Sequence, residues 1–351
     1  MGLSTTLIGV LPSYASAGTA APALLCLLRL GQGIGLGGEW GGAALLATEN
    51  APHGRQAWFG MFPQLGPSLG FLMSNGLFLL LLQLLTNEQF AAWGWRIPFL
   101  ASAVLVAVGL YVRRRLTETP AFARLAACGG QVRVPLGALL RRHGLPLVLG
   151  SLAMVVCYAI FYISTVFALD YGTRIGHIPR STFLGLMCIA ITLMAIVTPI
   201  SAVLSDRFGC RAVLLVGATM AALSGFAMQP LLSTGSAVSA LIFLCLELGL
   251  MGLLFAPMGA LLPSLFPSYV RYTGASAAYS LGGILGASLA PYTAQLLLAR
   301  GGLPAVGLYI SAAAVVSFLA LLALRPIPAK VHEDVMRTFE TNSPSLRTRG
   351  R

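Results

Sequence analysis

Long apolar segments most constrain what this chain can fold into. Nine of ten have the roughly 20 residues that a helix needs to cross about 30 Å of hydrocarbon. Only three of the chain's charged residues, Arg29, Glu39 and Glu247, fall inside them. With 9% charged residues the chain lies far from soluble domains, which carry about 25%. We therefore predict an all-α polytopic membrane protein, with apolar segments at 1–13, 22–47, 57–84, 97–112, 145–169, 182–204, 212–231, 237–262, 273–298 and 303–324.

The basic residues sort between alternate connections. Seventeen of the 22 lysines and arginines fall in one set of connections, which includes residues 113–142 and the tail from Arg325, and four fall in the opposite set. Cytoplasmic loops carry this excess, so the first set is predicted to be cytoplasmic. We expect a multi-pass protein of the bacterial inner (plasma) membrane with its C-terminus inside. Charges scattered over short loops make no continuous basic surface, which argues against nucleic acid as a partner.

The longest connection divides the chain. Residues 1–112 hold four apolar segments, 113–144 form an inter-half loop, 145–325 hold six segments, and 326–351 form a tail. Two six-helix halves joined by a cytoplasmic loop are a common transporter plan. Segment 1–13 would span only about 20 Å. On this plan we expect an N-terminally truncated half, without its first two helices and part of the third.

Charged residues inside the apolar segments require a structural or functional explanation, because placing each one in the middle of a membrane costs at least about 2.5–3.5 kcal/mol. At 100° per residue, Arg29, Gln32 and Glu39 share one helix face. Glu39 lies about 15 Å from Arg29 along the helix, so it needs another partner or a proton. A mid-membrane Glu247 is protonated unless paired. We predict proton coupling by Arg29, Glu39 and Glu247; a neutral, hydrogen-bonded Glu247 is the alternative.

Other polar residues at membrane depth are candidates for a substrate cavity. Tyr158, Tyr162 and Thr165 follow helical spacing along segment 145–169. Gln32 belongs to the polar face described above. Ordinary packing is the competing interpretation for the tyrosines. Gln64 and Asn75 could contact a ligand, although hydrogen bonds between helices are the favoured interpretation for these amides.

Several motifs, in order, resemble the major facilitator superfamily and, within it, the metabolite:proton symporter family. They are Arg29-x-x-Gln32-Gly33, Gly37–Ala43, Glu49-x-Ala51-Pro52, Trp93–Phe99, Glu118–Phe122, Ser205–Gly209 and Leu265–Gly274. Cys210 stands where that family usually has arginine, and Ser264 where glutamate is common. The resemblance implies two pseudo-symmetric helical halves, a proton-governing role for Arg29, and a cytoplasmic gate made by Glu49, Arg55, Glu118, Asp206, Arg207, Arg211 and Arg271. Charges that only set topology are the alternative.

These observations favour a monomeric secondary transporter that moves a small organic anion or zwitterion together with protons. A non-transporting remnant of such a protein is one alternative. Antiport is another, because Gly66–Gly70 resembles part of a fifth-helix antiporter pattern. We expect no enzyme, since no nucleophile and base or metal-ligand pattern is present. We also expect no metal and no cofactor, with the proton gradient as the driving force.

The charge bias gives a testable topology. A membrane-impermeant thiol reagent applied to intact cells is expected to leave Cys128, in the loop 113–144, unlabelled, because that loop is predicted to face the cytoplasm. The same reagent should label Cys128 once the membrane is permeabilised. Labelling of Cys128 in intact cells would reverse the assigned orientation.

Overall fold

The computed structural model describes residues 1–115 and 135–324, and all regular structure in these ranges is helical. Backbone groups in hydrocarbon must be satisfied within the segment, which favours helices. Predictions that concern Glu118, Cys128 and the tail 326–351 lie outside the described residues. The α-helices are α1 (Gly2–Ile8), α2 (Tyr14–Ala17), α3 (Ala20–Glu49), α4 (Gln56–Leu84), α5 (Asn87–Ala92), α6 (Ile97–Arg115), α7 (Pro135–Tyr162), α8 (Ala168–Arg174), α9 (Arg180–Phe208), α10 (Cys210–Ser224), α11 (Met228–Leu232), α12 (Ala237–Ser264), α13 (Arg271–Gly283) and α14 (Ala290–Ala323).

Eight helical stretches in the described ranges are long and apolar enough to cross a membrane. The last, Arg271–Ala323, combines two predicted segments. Gly302 interrupts it with φ 66° and ψ −165°, a backbone conformation that suits glycine. When this last stretch is counted as two helices separated at Gly302, all nine predicted spans are found. The all-α membrane fold is therefore confirmed.

Two membrane helices widen at π turns. Ile163–Phe167 joins α7 to α8, and Ile284–Ser288 follows α13. A shorter 3₁₀ turn, Gly225–Ala227, separates α10 from α11. Such departures from α geometry often mark hinges or functional sites, because they change which backbone groups are paired.

The chain forms two compact units, and α3 and α4 each contribute residues to both. One unit comprises Met1–Trp40 with Gly70–Glu118, and the other comprises Gly41–Leu69 with Thr119–Arg351. The division into halves at the loop 113–144 stays a prediction. In the first unit α1 packs on α6, where the hydroxyls of Thr6 and Ser102 lie 3.1 Å apart.

The core of the second unit is large and apolar. Phe167, Phe183, Phe243 and Phe255 are among its fully buried side chains. Glycines allow close helix crossings here. At Gly225 and Gly307, which face each other between the 3₁₀ turn and α14, an added Cβ would overlap the backbone carbonyl of the opposite glycine.

We expect the substitution Gly307→Ala to destabilise this unit by about 1–3 kcal/mol, because the methyl group must push two backbones apart. Gly185→Ala is the control, since a Cβ at Gly185 in α9 meets open space. Thermal unfolding in detergent should show a lower midpoint for Gly307→Ala only. Equal midpoints for the two variants would contradict this close crossing.

Candidate functional site

A polar cluster lies at one end of the second unit, where several helices begin or end. Glu49 is the last residue of α3 and Arg271 is the first of α13. Their side chains pair, with Arg271 Nη1 3.2 Å from Glu49 Oε1, and only 14% of the Arg271 side chain and 15% of the Glu49 side chain are exposed. Arg271 Nε also donates to the Phe266 carbonyl, 3.1 Å away. A mostly buried pair of this kind is costly to break, because the remaining charge would be left poorly solvated.

Asp206 caps a helix that is distant in sequence. Its two carboxylate oxygens accept hydrogen bonds from the backbone N–H groups of Ala57 (2.8 Å) and Trp58 (3.0 Å). These donors belong to the first turn of α4, where N–H groups have no partner within the helix. The negative charge also suits the positive end of the helix dipole. Asp206, near the end of α9, therefore fixes the start of α4.

Arg211 binds the opposite kind of helix end. Its Nε and Nη2 donate to the carbonyls of Leu321 (3.0 Å) and Leu322 (2.5 Å), in the last turn of α14. A cation is favourable there because the carbonyls are unpaired and carry partial negative charge. Between Asp206 and Arg211 the chain turns at Gly209, with φ 91°. One short turn thus holds the start of one helix and the end of another.

The remaining predicted gate residues contribute less. The Arg207 guanidinium lies 5.3 Å from the centroid of the Phe208 ring, and Arg55 is exposed. We call Glu49, Asp206, Arg211 and Arg271, together with the first turn of α4, the gate cluster.

Close helix crossings continue from the gate cluster into the unit. Gly60 of α4 lies against Gly259 of α12, where an added Cβ at Gly259 would overlap the Gly60 carbonyl. Gly41 of α3 is similarly close to the Ser276 hydroxyl of α13. The buried Gln64 side chain donates to the Phe255 carbonyl at 2.8 Å, the hydrogen bond between helices favoured for it by the sequence. The helices at this end of the unit are therefore in direct contact.

Asn75 differs from the favoured sequence interpretation. Its amide donates at 3.1 Å to the carbonyl of Phe71, four residues earlier on the same helix, and not across helices. The i−4 carbonyl is within reach of a short polar side chain on any helix, so this local bond competes with pairing between helices. Its assignment to a substrate cavity stays a prediction.

The predicted polar face of α3 lies in the first unit. Arg29 donates to Gln32 at 3.2 Å, and Gln32 donates to the Thr5 hydroxyl of α1 at 2.6 Å. Glu39 lies 3.8 Å from the Met1 amino group and is 43% exposed. The helical period therefore placed these polar residues correctly. Gly31 of the same helix lies against Ser4 of α1, and Gly35 lies against Met1.

An aromatic cluster joins α7 and α13 beside their π turns. The rings of Tyr158 and Tyr279 lie edge to face at 5.6 Å, and Phe255 lies 6.5 Å from Tyr279. Tyr162 packs on Phe161, and Thr165 donates to the Phe161 carbonyl at 2.6 Å. Tyr279 was missed from the sequence. Its signal is a lone aromatic hydroxyl among small residues, Gly274-Ala-Ser-Ala-Ala-Tyr-Ser-Leu-Gly-Gly283.

Glu247 is fully buried on α12, and Ser224 of α10 lies beside it. Neither carboxyl oxygen has a well-aligned hydrogen-bond partner within the described ranges. The Ser224 hydroxyl donates instead to the Ala221 carbonyl, at 2.9 Å. Elsewhere in residues 1–115 and 135–324, no three His, Cys, Asp or Glu side chains come together as a metal-ligand set.

The Asp206 cap predicts a local effect on stability. Asp206→Ala removes two acceptors from the first turn of α4 and should cost about 0.5–2 kcal/mol, the range for a lost helix cap. Hydrogen exchange of the Ala57 and Trp58 amides should accelerate relative to amides later in α4. Asp206→Asn, which keeps one acceptor oxygen, is the graded control. Unchanged exchange at both amides in Asp206→Ala would show that the cap does not hold this turn.

The sequence and the fold were compared with known proteins. The sequence profile of the Major Facilitator Superfamily matches residues 1–267 and 179–347. The inner membrane metabolite transport protein YhjE of Escherichia coli is 51% identical over 327 residues, which cover 92% of this chain and 74% of that protein. The shikimate transporter of Escherichia coli is 35% identical, over 93% of this chain and 75% of that protein. The proline/betaine transporter of Salmonella typhimurium is 32% identical, over 85% and 61%.

Among solved structures, the proton:xylose symporter XylE superposes with a TM-score of 0.76 over 93% of this chain and 78% of that chain. At 15% sequence identity this likeness concerns the fold alone. The profile covers most of the chain, and three aligned relatives are transport proteins. The chain is thus a multi-pass membrane protein that belongs to the Major Facilitator Superfamily.

Proposed function

We propose that this protein is a proton-coupled symporter of a small organic acid or zwitterion that works by alternating access. The gate cluster carries the proposal, because it closes one end of the second unit through contacts between charged side chains and helix ends. The names of two relatives indicate a chemical class for the proposed substrate. One is named for shikimate, an organic acid, and another for proline and betaine, which are zwitterions.

The gate cluster is suited to opening and closing. Arg271 and Glu49 are buried but lie close to the surface, so water can solvate both charges once they separate. Asp206 and Arg211 hold helix ends, whose free N–H and C=O groups can bind water equally well when released. Such contacts create two discrete arrangements with little change inside the helices. In the proposed topology this end of the second unit faces the cytoplasm.

Coupling is proposed to use the polar face of α3. Arg29 is a cation at membrane depth, and a nearby cation favours the ionised form of a carboxyl group. Its positive field would also attract a substrate anion. Glu39 lies on the same face, with its side chain 43% exposed. Proton and substrate binding on this face would then reduce the net charge that has to cross the membrane.

Further parts of the proposal concern the cavity and the assembly. Tyr158, Tyr162 and Thr165 would line the substrate path together with Gln32, and Tyr279 joins them because it contacts Tyr158. The gate cluster is complete within one chain, which fits a monomer. The proton gradient would supply the energy, without a cofactor. The plasma membrane is the proposed location, with the C-terminal tail in the cytoplasm.

Transport in proteoliposomes under an imposed pH gradient tests this function, with labelled organic acids and betaines as probes. Wild-type protein should accumulate one of these solutes against its gradient. Glu39→Gln should lose at least about tenfold of that accumulation yet keep substrate exchange, because it removes a titrating group at nearly constant size. Arg29→Lys should weaken both activities, since lysine keeps the charge but loses the planar guanidinium.

Glu88→Gln is the matched control, because Glu88 is an exposed carboxylate on the short helix α5. It should behave like wild type. Exchange without any response to the pH gradient in wild-type protein would favour antiport. Absence of both uptake and exchange would favour a protein that does not transport.

A further inference from the structure

The buried carboxyl group of Glu247 calls for a chemical explanation. It lies on α12, which packs against α4, α7, α9, α10, α11 and α13. Its side chain is fully buried, and among the described residues neither oxygen has an aligned hydrogen-bond donor. An unpaired buried carboxylate costs several kcal/mol, whereas the protonated acid is far less costly to bury. Burial therefore favours the protonated, neutral form of Glu247.

Among the described residues, the helices that pack on α12 place no compensating charge beside the Glu247 carboxyl group. The charged residues of these helices in the described ranges lie near helix ends: Arg141 and Arg142 on α7, Arg180, Asp206 and Arg207 on α9, Arg211 on α10, and Arg271 on α13. The other titratable groups are His143, near the start of α7, and groups that are neutral at physiological pH: Cys157, Tyr158 and Tyr162 on α7, Cys188 on α9, Cys210 on α10, Cys245 on α12, and Tyr272 and Tyr279 on α13. Burial thus dominates the chemistry of this site.

The neighbouring helix is interrupted beside this carboxyl group. Ser224 is the last residue of α10, and the 3₁₀ turn Gly225–Ala227 follows it. A hydrogen bond from α14 stabilises this interruption: the Ser311 hydroxyl donates to the Ala222 carbonyl at 2.7 Å. Gly225 also packs directly on Gly307. A mid-helix 3₁₀ turn of this kind often marks a hinge.

Ser224 can respond to the charge of Glu247. Its hydroxyl now donates to the Ala221 carbonyl, but a hydroxyl proton rotates freely about the C–O bond. If Glu247 lost its proton, the same hydroxyl could donate to the carboxylate. Hydrogen bonds to a charged group are about twice as strong as neutral ones, so this rotation would be favourable.

We propose that Glu247, with Ser224 as its positioning residue, is a second proton-binding site of the transporter, separate from the polar face of α3. The inference rests on the proposed proton-coupled transport and adds a site to it. Opening at the α10 interruption admits water; the carboxyl O–H bond breaks, the proton passes to water, and the carboxylate accepts the Ser224 hydrogen bond. No redox change or further reactant is involved.

Two variants test this site in the proteoliposome assay. Glu247→Gln should lose at least about tenfold of pH-driven accumulation while retaining half or more of substrate exchange, because the amide fills the site but cannot release a proton. Ser224→Ala should move the pH profile of exchange upward by about one unit, since the carboxylate loses a hydrogen-bond donor. Ser151→Ala is the control, because Ser151 is also buried and donates to its own helix at Leu147.

Infrared spectroscopy provides a readout that does not depend on transport. Wild-type protein at neutral pH should show the carbonyl band of a protonated carboxylic acid, and this band should be absent from Glu247→Gln. Absence of the band from wild type would overturn the proposed site, as would full pH-driven accumulation by Glu247→Gln. Accumulation by wild type and by Glu247→Gln alike would refute this site only, whereas no accumulation by wild type would refute the proposed symport and this site with it.

Discussion

The structure depends on the requirement that backbone polar groups in hydrocarbon be hydrogen-bonded within their own segment. Helices meet it along their length but leave four N–H groups and four C=O groups unpaired at their ends. The gate cluster is built at such ends. Asp206 satisfies N–H groups at the start of α4, and Arg211 satisfies carbonyls at the end of α14. The groups that a membrane helix cannot satisfy internally thus become the points at which distant parts of the chain are joined.

Small residues bring the helices close enough for those attachments to form. Gly60 and Gly259 put the backbones of α4 and α12 in direct contact, and Gly41 does the same for α3 beside Ser276. Lipid gives apolar helix faces little reason to associate, so close packing and hydrogen bonds such as that from Gln64 to Phe255 carry the association. In the proposed gate, contacts of this kind would separate without unfolding either helix.

Sequence reasoning succeeded where the physics is local. The nine spans followed from apolar length, and the link from Arg29 to Gln32 followed from the helical period. It failed for relations between distant parts of the chain. Nothing near Ala57 shows that Asp206 will cap it, and nothing near Tyr158 shows that Tyr279 will contact it. The resemblance to a family supplied the predicted gate residues, but the partners of Glu49, Asp206, Arg211 and Arg271 came from the fold.

The two membrane carboxyl groups illustrate why burial must be known before chemistry is assigned. Both Glu39 and Glu247 interrupt apolar sequence, and sequence alone gives them the same role. In the structure the Glu39 side chain is 43% exposed, whereas Glu247 is fully buried and forms no ion pair with any described residue. In the proposed mechanism, Glu247 releases its proton only when the helices around it separate. A proton held there would therefore be tied to the conformation of the protein.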